Sequence, residues 1–545
     1  MPAPFLALAG WHDTFHEILN HLEPTDTDDN DDYDGKIFVA ARRAFRRTLL
    51  SLALSCHALL DPSLDKLWNN LDDIHPLLKL LPNYQRRNSI HHLTGEITPE
   101  AWSRLQTYAR RVRGITLGQE ASIDALVWPT ILNQCQGTLL FPNLQTLSMR
   151  MWNATHASFT PIHALASPSL RYLSLSVDTE GADKASIATI TGAMLQEFSM
   201  KSPGLIRLSF FPYMTIGPEH LMCLSRFTHM ERLNISDYST IDEGVLLTLT
   251  NLGNLTHLQA SVLLRDSTES ALLGLKDGFQ NLTKLELCCQ PAHLTRFMLA
   301  SPMPRLKDLC LQLASHSADG FETSLASICR HLRPPTLTRF RAELDNFRRP
   351  PRFLINLLEP LLPFVNLEEL EFFFEEHLPL RNEDLERFSH AWPKLRALIL
   401  IQGETTLSTP NRMPGSVERP TLHGLVELAR RCPQLDRLCI PDLDASRPPQ
   451  ADSVPLMGHG PLDLCIQNLV GAGVDETQLR VAVVLDRLFP CLKLESGIEE
   501  LLGYGDTPNP YTEDSENVSL LLRAMQIARK HYPGGVECVE RPVSS

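Results

Sequence analysis

Few residues in this chain stand at the spacing that chemistry requires. The nearest approach is NDDYDGKIFVAA, Asn30 to Ala41. Asn30, Asp32 and Asp34 occupy the first, third and fifth positions of a calcium loop, Gly35 the turn and Ile37 the apolar eighth position. The twelfth position needs a bidentate carboxylate and holds Ala41, so no calcium site is expected. His91-His92 is the one adjacent histidine pair among 20 histidines, with no acidic or cysteine partner at ligand spacing, and it reads as solvated loop. The 12 cysteines form no C-x-x-C pair. Many, such as Cys223, Cys329 and Cys432, fall at apolar positions, so they read as small buried hydrophobes rather than ligands or a disulfide framework. Phosphate loops, nucleophile elbows and zinc-protease helices are absent, and Gly471-Ala472-Gly473 lacks the third glycine of a dinucleotide loop. The expectation is a protein with no catalytic residue, no metal and no cofactor: not an enzyme. Arg42, Arg43, Arg46 and Arg47 form the one basic cluster. Beside the acidic run 23–34, and in a chain of net charge -14, they read as a self-neutralising face and not a nucleic-acid site.

The chemistry that remains is recognition, and it depends on how elements are arrayed. An L-x-x-L-x-L phrase recurs at intervals of roughly 25 to 35 residues, the spacing of a repeat protein. Clear copies are Leu144-Leu147-Met149, Leu170-Leu173-Leu175, Leu205-Leu208-Phe210, Met230-Leu233-Ile235, Leu282-Leu285-Leu287 and Leu306-Leu309-Leu311. Later copies are Leu367-Leu370-Phe372, Leu395-Leu398-Leu400 and Leu435-Leu438-Ile440; weaker ones begin at Val112, Leu255, Leu337 and Phe489. Helical stretches such as PEHLMCLSRF and HGLVELARRC lie between them. One such unit cannot bury its apolar side alone; stacked units can. The fold class expected is α/β: a leucine-rich-repeat solenoid with a parallel inner sheet and outer helices, from which a membrane span is absent.

Strand side chains alternate, so the leucines point inward and the residues between them face out along the inner sheet. Those outward positions are the candidate substrate-binding residues: Tyr172, Arg207, Phe211, Arg339, Arg341, Glu369, Glu371, Phe373, Ile399 and Ile401. Arg339 and Arg341 against Glu369 and Glu371 are expected to pair with each other across strands. Phe211, Phe373, Ile399 and Ile401 are apolar, so each must meet a partner or be covered by a loop or the C-terminal helix.

The N-terminal region carries a different pattern. Phe15, Ile18, Leu19 and Leu22 mark an amphipathic helix over 11–22. A second helical stretch follows the acidic run, then LALSCHALLDPSLDKLW, in which Asp61-Pro62-Ser63 predicts a turn. Another short helix is expected over 72–82. These stretches resemble an F-box module joined to leucine-rich repeats, of the type abundant in mushroom-forming fungi. Asp13, Phe15, Ile18-Leu19 and Leu22 match the first half of the F-box pattern. Leu54, Cys56, His57, Leu59 and Leu67-Trp68 match the second. The chain departs at the opening, where Gly10-Trp11 replaces Leu-Pro, and in the acidic insertion that splits the motif. The resemblance implies docking on a Skp-family adaptor of a cullin-type (SCF) ubiquitin ligase, with the repeats holding an unknown protein substrate. Phe15, Ile18, Leu19, Leu22, Leu52, Leu54, Cys56, Leu59, Leu64, Leu67 and Trp68 are the candidate adaptor-binding residues. The bland alternative is a scaffold whose N-terminal helices only cap the solenoid.

The expected organisation is an F-box-like all-α module over 1–85 with the acidic insertion at 23–34, a solenoid over 86–495, and a C-terminal helical cap and tail over 496–545. The segments 404–420 and 445–461 are expected to project as loops. Without a convincing signal segment, the expected compartment is cytoplasm or nucleus, the expected state monomeric, and Asn254 and Asn281 are read as strand residues rather than glycan sites.

Overall fold

The computed structural model describes residues 11–22, 35–88, 90–118, 123–179, 184–236, 238–264, 273–313, 320–332, 336–344, 353–374, 378–403, 418–457, 459–460, 462–473, 475–492 and 513–531. The chain divides into two compact units, Met1–Leu255 and Thr256–Ser545.

The first unit opens with three helices, α1 (Trp11–Leu22), α2 (Gly35–Ser55) and α3 (His57–Asn69). The break before α3 is at Cys56, which is fully extended (φ -161, ψ 157). The turn expected at Asp61-Pro62-Ser63 is therefore displaced: Pro62 lies within α3, buried. A proline there forfeits a single helical hydrogen bond, and burial of its ring offsets that loss. Continuation of the helix sets Asp61 and Asp65 one turn apart on the same face, where both bind Arg111 (Nη2 to Asp61 Oδ1, 2.7 Å). The helix expected over 72–82 contracts to His75–Leu78. Gly35 to Ala41 are already helical, so the second half of the calcium-like stretch forms no ligand loop, while Asn30 to Asp34 lie outside the described residues.

The strands of this unit are β1 (Asn70–Leu71), the antiparallel hairpin β2 (Tyr84–Arg87) and β3 (Ile90–Leu93), then β4 (Gly114–Leu117), β5 (Thr146–Met151), β6 (Tyr172–Val177), β7 (Arg207–Pro212), β8 (Arg232–Ile235) and β9 (Thr240–Ile241). β1, β4, β5, β6, β7 and β8 are parallel neighbours in that order. Their register aligns the leucine phrases: Ile115, Leu147, Leu173, Leu208 and Leu233 form one inward row. Each is at most 2% exposed. Truncating any of them to alanine would cost about 2–5 kcal/mol.

The second unit repeats the scheme with β10 (His257–Val262), β11 (Lys284–Cys288), β12 (Asp308–Gln312), β13 (Arg339–Leu344), β14 (Glu369–Phe374), β15 (Ala397–Gln402), β16 (Arg437–Asp444) and β17 (Asp463–Val470), again parallel in sequence order. Helices such as Phe321–His331, Asn382–Ala391 and Leu422–Arg431 return the chain between strands and bury their apolar faces.

One backbone device recurs in both units. The carbonyl just before a strand accepts two successive N–H groups from the next repeat. Arg113 O takes Gln145 N at 2.7 Å and Thr146 N at 2.9 Å, and Thr338 O takes Glu368 N at 2.7 Å and Glu369 N at 3.1 Å. Arg171, Ile206, Thr283, Lys307 and Arg396 do the same. A carbonyl has two lone pairs, so both bonds form without leaving a donor orphaned at the tight turn into the strand.

The segment 445–457 does not project. Val454 is 1% exposed, and its carbonyl accepts from Arg487 Nε at 3.0 Å on the helix Asp475–Leu488. Residues 404–417 of the other expected loop lie outside the described residues. At the end, the helix Glu513–His531 buries Val518 and Leu522, and Arg529 donates to Pro490 O at 2.6 Å and pairs with Asp486. Cys491, expected as a buried thiol, is in a disulfide. Among the described residues no helix is long and apolar enough to cross a membrane.

Candidate functional site

Two kinds of surface answer to the sequence expectations: the helical head and the outward faces of the sheets. On the head, Leu19 is a correction. It is 1% exposed and packs inside the helices, with Leu49 and Ala53 on α2 buried likewise. What α1 shows to solvent is Ile18 and Leu22, at 46% and 54% exposure; α2 shows Leu50 and Leu54, at 49% and 77%. Each pair stands at i, i+4, so each helix presents an apolar stripe. Leu50 was missed by the motif reading, although its spacing from Leu54 was the available signal. Cys56 is exposed at the break between helices. Phe15, Leu52, Leu59, Leu64 and Leu67 are half-buried. Trp68 sets its ring 4.7 Å from that of Tyr108 on the helix Pro99–Ala109, so it faces the first repeat.

The basic cluster serves the same anchoring. Arg42 and Arg46 pair with Asp72 at 2.6 and 2.9 Å, and Arg46 donates to Asn70 O at 3.1 Å on β1. The acidic run expected to neutralise them lies outside the described residues. His92 is not a solvated loop residue: its Nδ1 meets Asp124 Oδ2 at 2.6 Å. His91 stacks on Tyr84 at 5.1 Å, and Tyr84 Oη meets His75 Nδ1 at 2.7 Å. Burial holds His75 below its ordinary 6.5, with the nearby Asp73 opposing. The Leu126 amide and His92 together hold the Asp124 carboxyl low. Among the described residues no cluster of three or more ligating side chains could hold a metal.

The outward face of the second unit is closed upon itself. Register aligns Asp308, Arg339, Glu369, Ala397 and Arg437 in one row, and Cys310, Arg341, Glu371, Ile399, Cys439 and Cys465 in the next. Arg339 lies between Asp308 Oδ2 (3.6 Å) and Glu369 Oε1 (3.4 Å), and Arg341 meets Glu371 Oε2 at 3.8 Å. Arg437 then crosses the small Ala397 to reach Glu369 at 3.2 Å and Glu371 at 3.4 Å. The four charged residues expected to pair do so, and two that were not expected, Asp308 and Arg437, extend the network, with Arg437 tying Glu369 to Glu371.

Ile399 and Ile401 are corrections: they are 2% and 7% exposed. They pack against Cys439 and Cys465 on the following strands, with Phe373 alongside. The Arg341 guanidinium lies 4.9 Å from the Phe373 ring centroid. Gln467 on β17 seals the end, donating to Gln402 O at 2.9 Å and accepting from Gln402 N at 2.8 Å. Pro441, in the intervening strand, has no N–H to offer there. Burial pushes the Cys310 thiol up to about 12, with Glu286 adding to the rise. A hydrogen bond to Cys465, then burial, raises Cys439 as well. Thiols held this way are poor nucleophiles.

The outward face of the first unit is open. Its middle row is Thr116, Ser148, Ser174, Ser209 and Asn234, small and polar throughout. The row before it holds Tyr172, Arg207 and Arg232, and the row after it Arg150, Ser176 and Phe211. Tyr172 is 37% exposed, and the Arg207 guanidinium lies 5.1 Å from its ring centroid. Just past the strand ends stand Trp152, Tyr213 and Tyr238, exposed, with centroids 5.5 and 5.8 Å apart. The sequence reading missed these three because they fall outside the L-x-x-L-x-L phrase. A cleft of about 360 Å³ opens beside Trp152, lined by Met149, Arg150 and Trp128 among others.

No family model matches the chain, and no curated protein matches it. Among solved structures the chain is similar to the yeast complex of Rad7 and Elc1, at 13% identity and a TM-score of 0.33. The match covers 61% of this chain and 77% of that one. A likeness of that size transfers no function from one to the other.

Proposed function

We propose that this protein is a non-catalytic substrate receptor of a cullin-type ubiquitin ligase, docking through its helical head on a Skp-family adaptor and presenting its repeats to a protein substrate. The observation that carries the reading is the pair of exposed apolar stripes, Ile18 with Leu22 and Leu50 with Leu54, on helices that resemble an F-box. Exposed apolar side chains at helical spacing are what a partner's groove takes up. The parallel sheets present rows of outward side chains of the kind repeat proteins use for binding. The protein performs no chemistry in this role; it raises the local concentration of a substrate beside an enzyme held elsewhere in the complex.

A second reading, a scaffold whose head is only a cap, is favoured by the burial of Leu19 and by Trp68 facing Tyr108. Co-purification with a Skp-family adaptor separates the two. Leu54→Asp removes an exposed leucine without touching the core, so it should abolish adaptor capture and leave the thermal midpoint unchanged. An adaptor that never co-purifies, or that binds Leu54→Asp as well as the parent chain, supports the cap.

A further inference from the structure

Three arginines on the outward face of the first unit have no anion. Arg150, Arg207 and Arg232 are exposed there, and none forms an ion pair with another described residue. Arg207 and Arg232 are direct register partners on adjacent parallel strands, an arrangement in which like charges repel. Tyr172 holds the Arg207 guanidinium in place from one side. Arg150 lies in register with Ser176 and Phe211. It is thus two strands and four residues from Arg207, a diagonal of about 16 Å by standard strand dimensions. An extended peptide covers that span with about five residues. Between the two ends lie Ser174, Ser209 and Asn234, all half-buried, and the Asn234 Oδ1 is buried with no hydrogen-bond partner among the described residues. Beyond Arg150 runs the aromatic row Trp152, Tyr213 and Tyr238, and the Asp178 amide, one residue past the last paired position, donates to Met151 O at 2.8 Å.

We infer that the outward face of the first unit binds an extended acidic peptide that also carries aromatic side chains. Carboxylates neutralise the Arg207–Arg232 pair and Arg150, backbone groups bond to the serine and asparagine floor, and aromatic rings pack on the Trp152–Tyr213–Tyr238 row. The contrast within the molecule points to this chemistry: the outward arginines of the second unit have their carboxylates built in, whereas these three have none among the described residues. This names the substrate class of the receptor reading and rests on it for the role of the repeats.

The test uses the full chain and a dye-labelled random copolymer of glutamate and tyrosine, read by fluorescence anisotropy. Binding should saturate and weaken with salt. Arg207→Gln with Arg232→Gln should weaken it by about tenfold or more, and Trp152→Ala by about fivefold, as expected for charged and aromatic anchors. Arg339→Gln with Arg341→Gln should change it by less than about twofold, since those guanidiniums are already paired. No binding, or equal losses for the two arginine pairs, overturns the inference. So does binding that appears only after Asp26, Asp28, Asp29, Asp31, Asp32 and Asp34 are changed to Asn, because the occupant is then the chain's own acidic run. Adaptor capture is indifferent to the arginine and tryptophan substitutions on the repeats, so failure of one proposal leaves the other standing.

Discussion

The two outward faces are built on the same ladder and differ in what fills it. In the second unit Arg339, Arg341 and Arg437 meet Asp308, Glu369 and Glu371, and Ile399 meets Cys439 and Cys465. In the first unit the corresponding rows hold serines and arginines that pair with no carboxylate among the described residues, with exposed aromatic rings just beyond the strand ends. One face pairs its charged side chains with each other, and the other leaves its arginines exposed. Position in an outward row therefore does not identify a binding residue; the neighbours in register do.

Substitutions matched between the faces test that contrast, and the largest effect should come from charge placed in the middle row. Ile399→Asp buries an unpaired carboxylate beside two thiols and should destabilise the second unit by about 3 kcal/mol or more. Ser174→Asp, in the middle row of the first unit, should stay within about 0.5 kcal/mol because water and the arginines reach it. Urea unfolding of the two variants measures both, and equal losses would erase the distinction between covered and open. Smaller, but still asymmetric, is removal of a charge. Glu371→Gln strips Arg341 and Arg437 of a shared partner and should cost about 1–2 kcal/mol, the range for hydrogen-bonded charge networks at partial burial. Arg207→Gln should stay within about 0.5 kcal/mol, because relief of repulsion from Arg232 offsets the lost contact with the Tyr172 ring. The same denaturation curves at low and high salt give the sign.

The smallest effect is on pH. His75 is held below 6.5 by burial in the first unit, so the unfolded chain takes up the proton first. Its contribution to stability is complete above pH 6.5 and is lost as the pH falls through the lower folded value. Thermal midpoints followed downward from pH 7 should therefore drop less in His75→Phe than in the parent chain. Parallel curves would show that the ring cluster with Tyr84 and His91 does not sense protons.

The repeat architecture was legible because leucine spacing acts locally: Leu144, Leu147 and Met149 report their own strand and nothing else. Outward parity was legible for the same reason, and every expected face residue does lie on the outward side. Burial on that face was not. Whether Ile399 is wet depends on Cys439 and Cys465, which arrive from strands whose separations in sequence vary with each loop. The reach of Arg437 across Ala397 could not be read for the same reason, since it requires knowing that those two strands are neighbours and in which register. In the head, the helical period correctly marked α1, but a single stripe could not say which of Ile18 and Leu19 turns inward. The Pro62 turn failed because a proline's local preference is weaker than the packing that carries α3 through it.

The carbonyl that receives two N–H groups at the start of many of these strands has a consequence beyond register. It asks for nothing except the backbone of the next repeat, whatever side chains that repeat carries. A gene that duplicated one such unit would encode a chain in which the newcomer's first hydrogen bonds were already provided for on both flanks. Length is thus an easily changed variable for this protein's lineage, and recognition can diverge copy by copy while the spine that bears it stays the same.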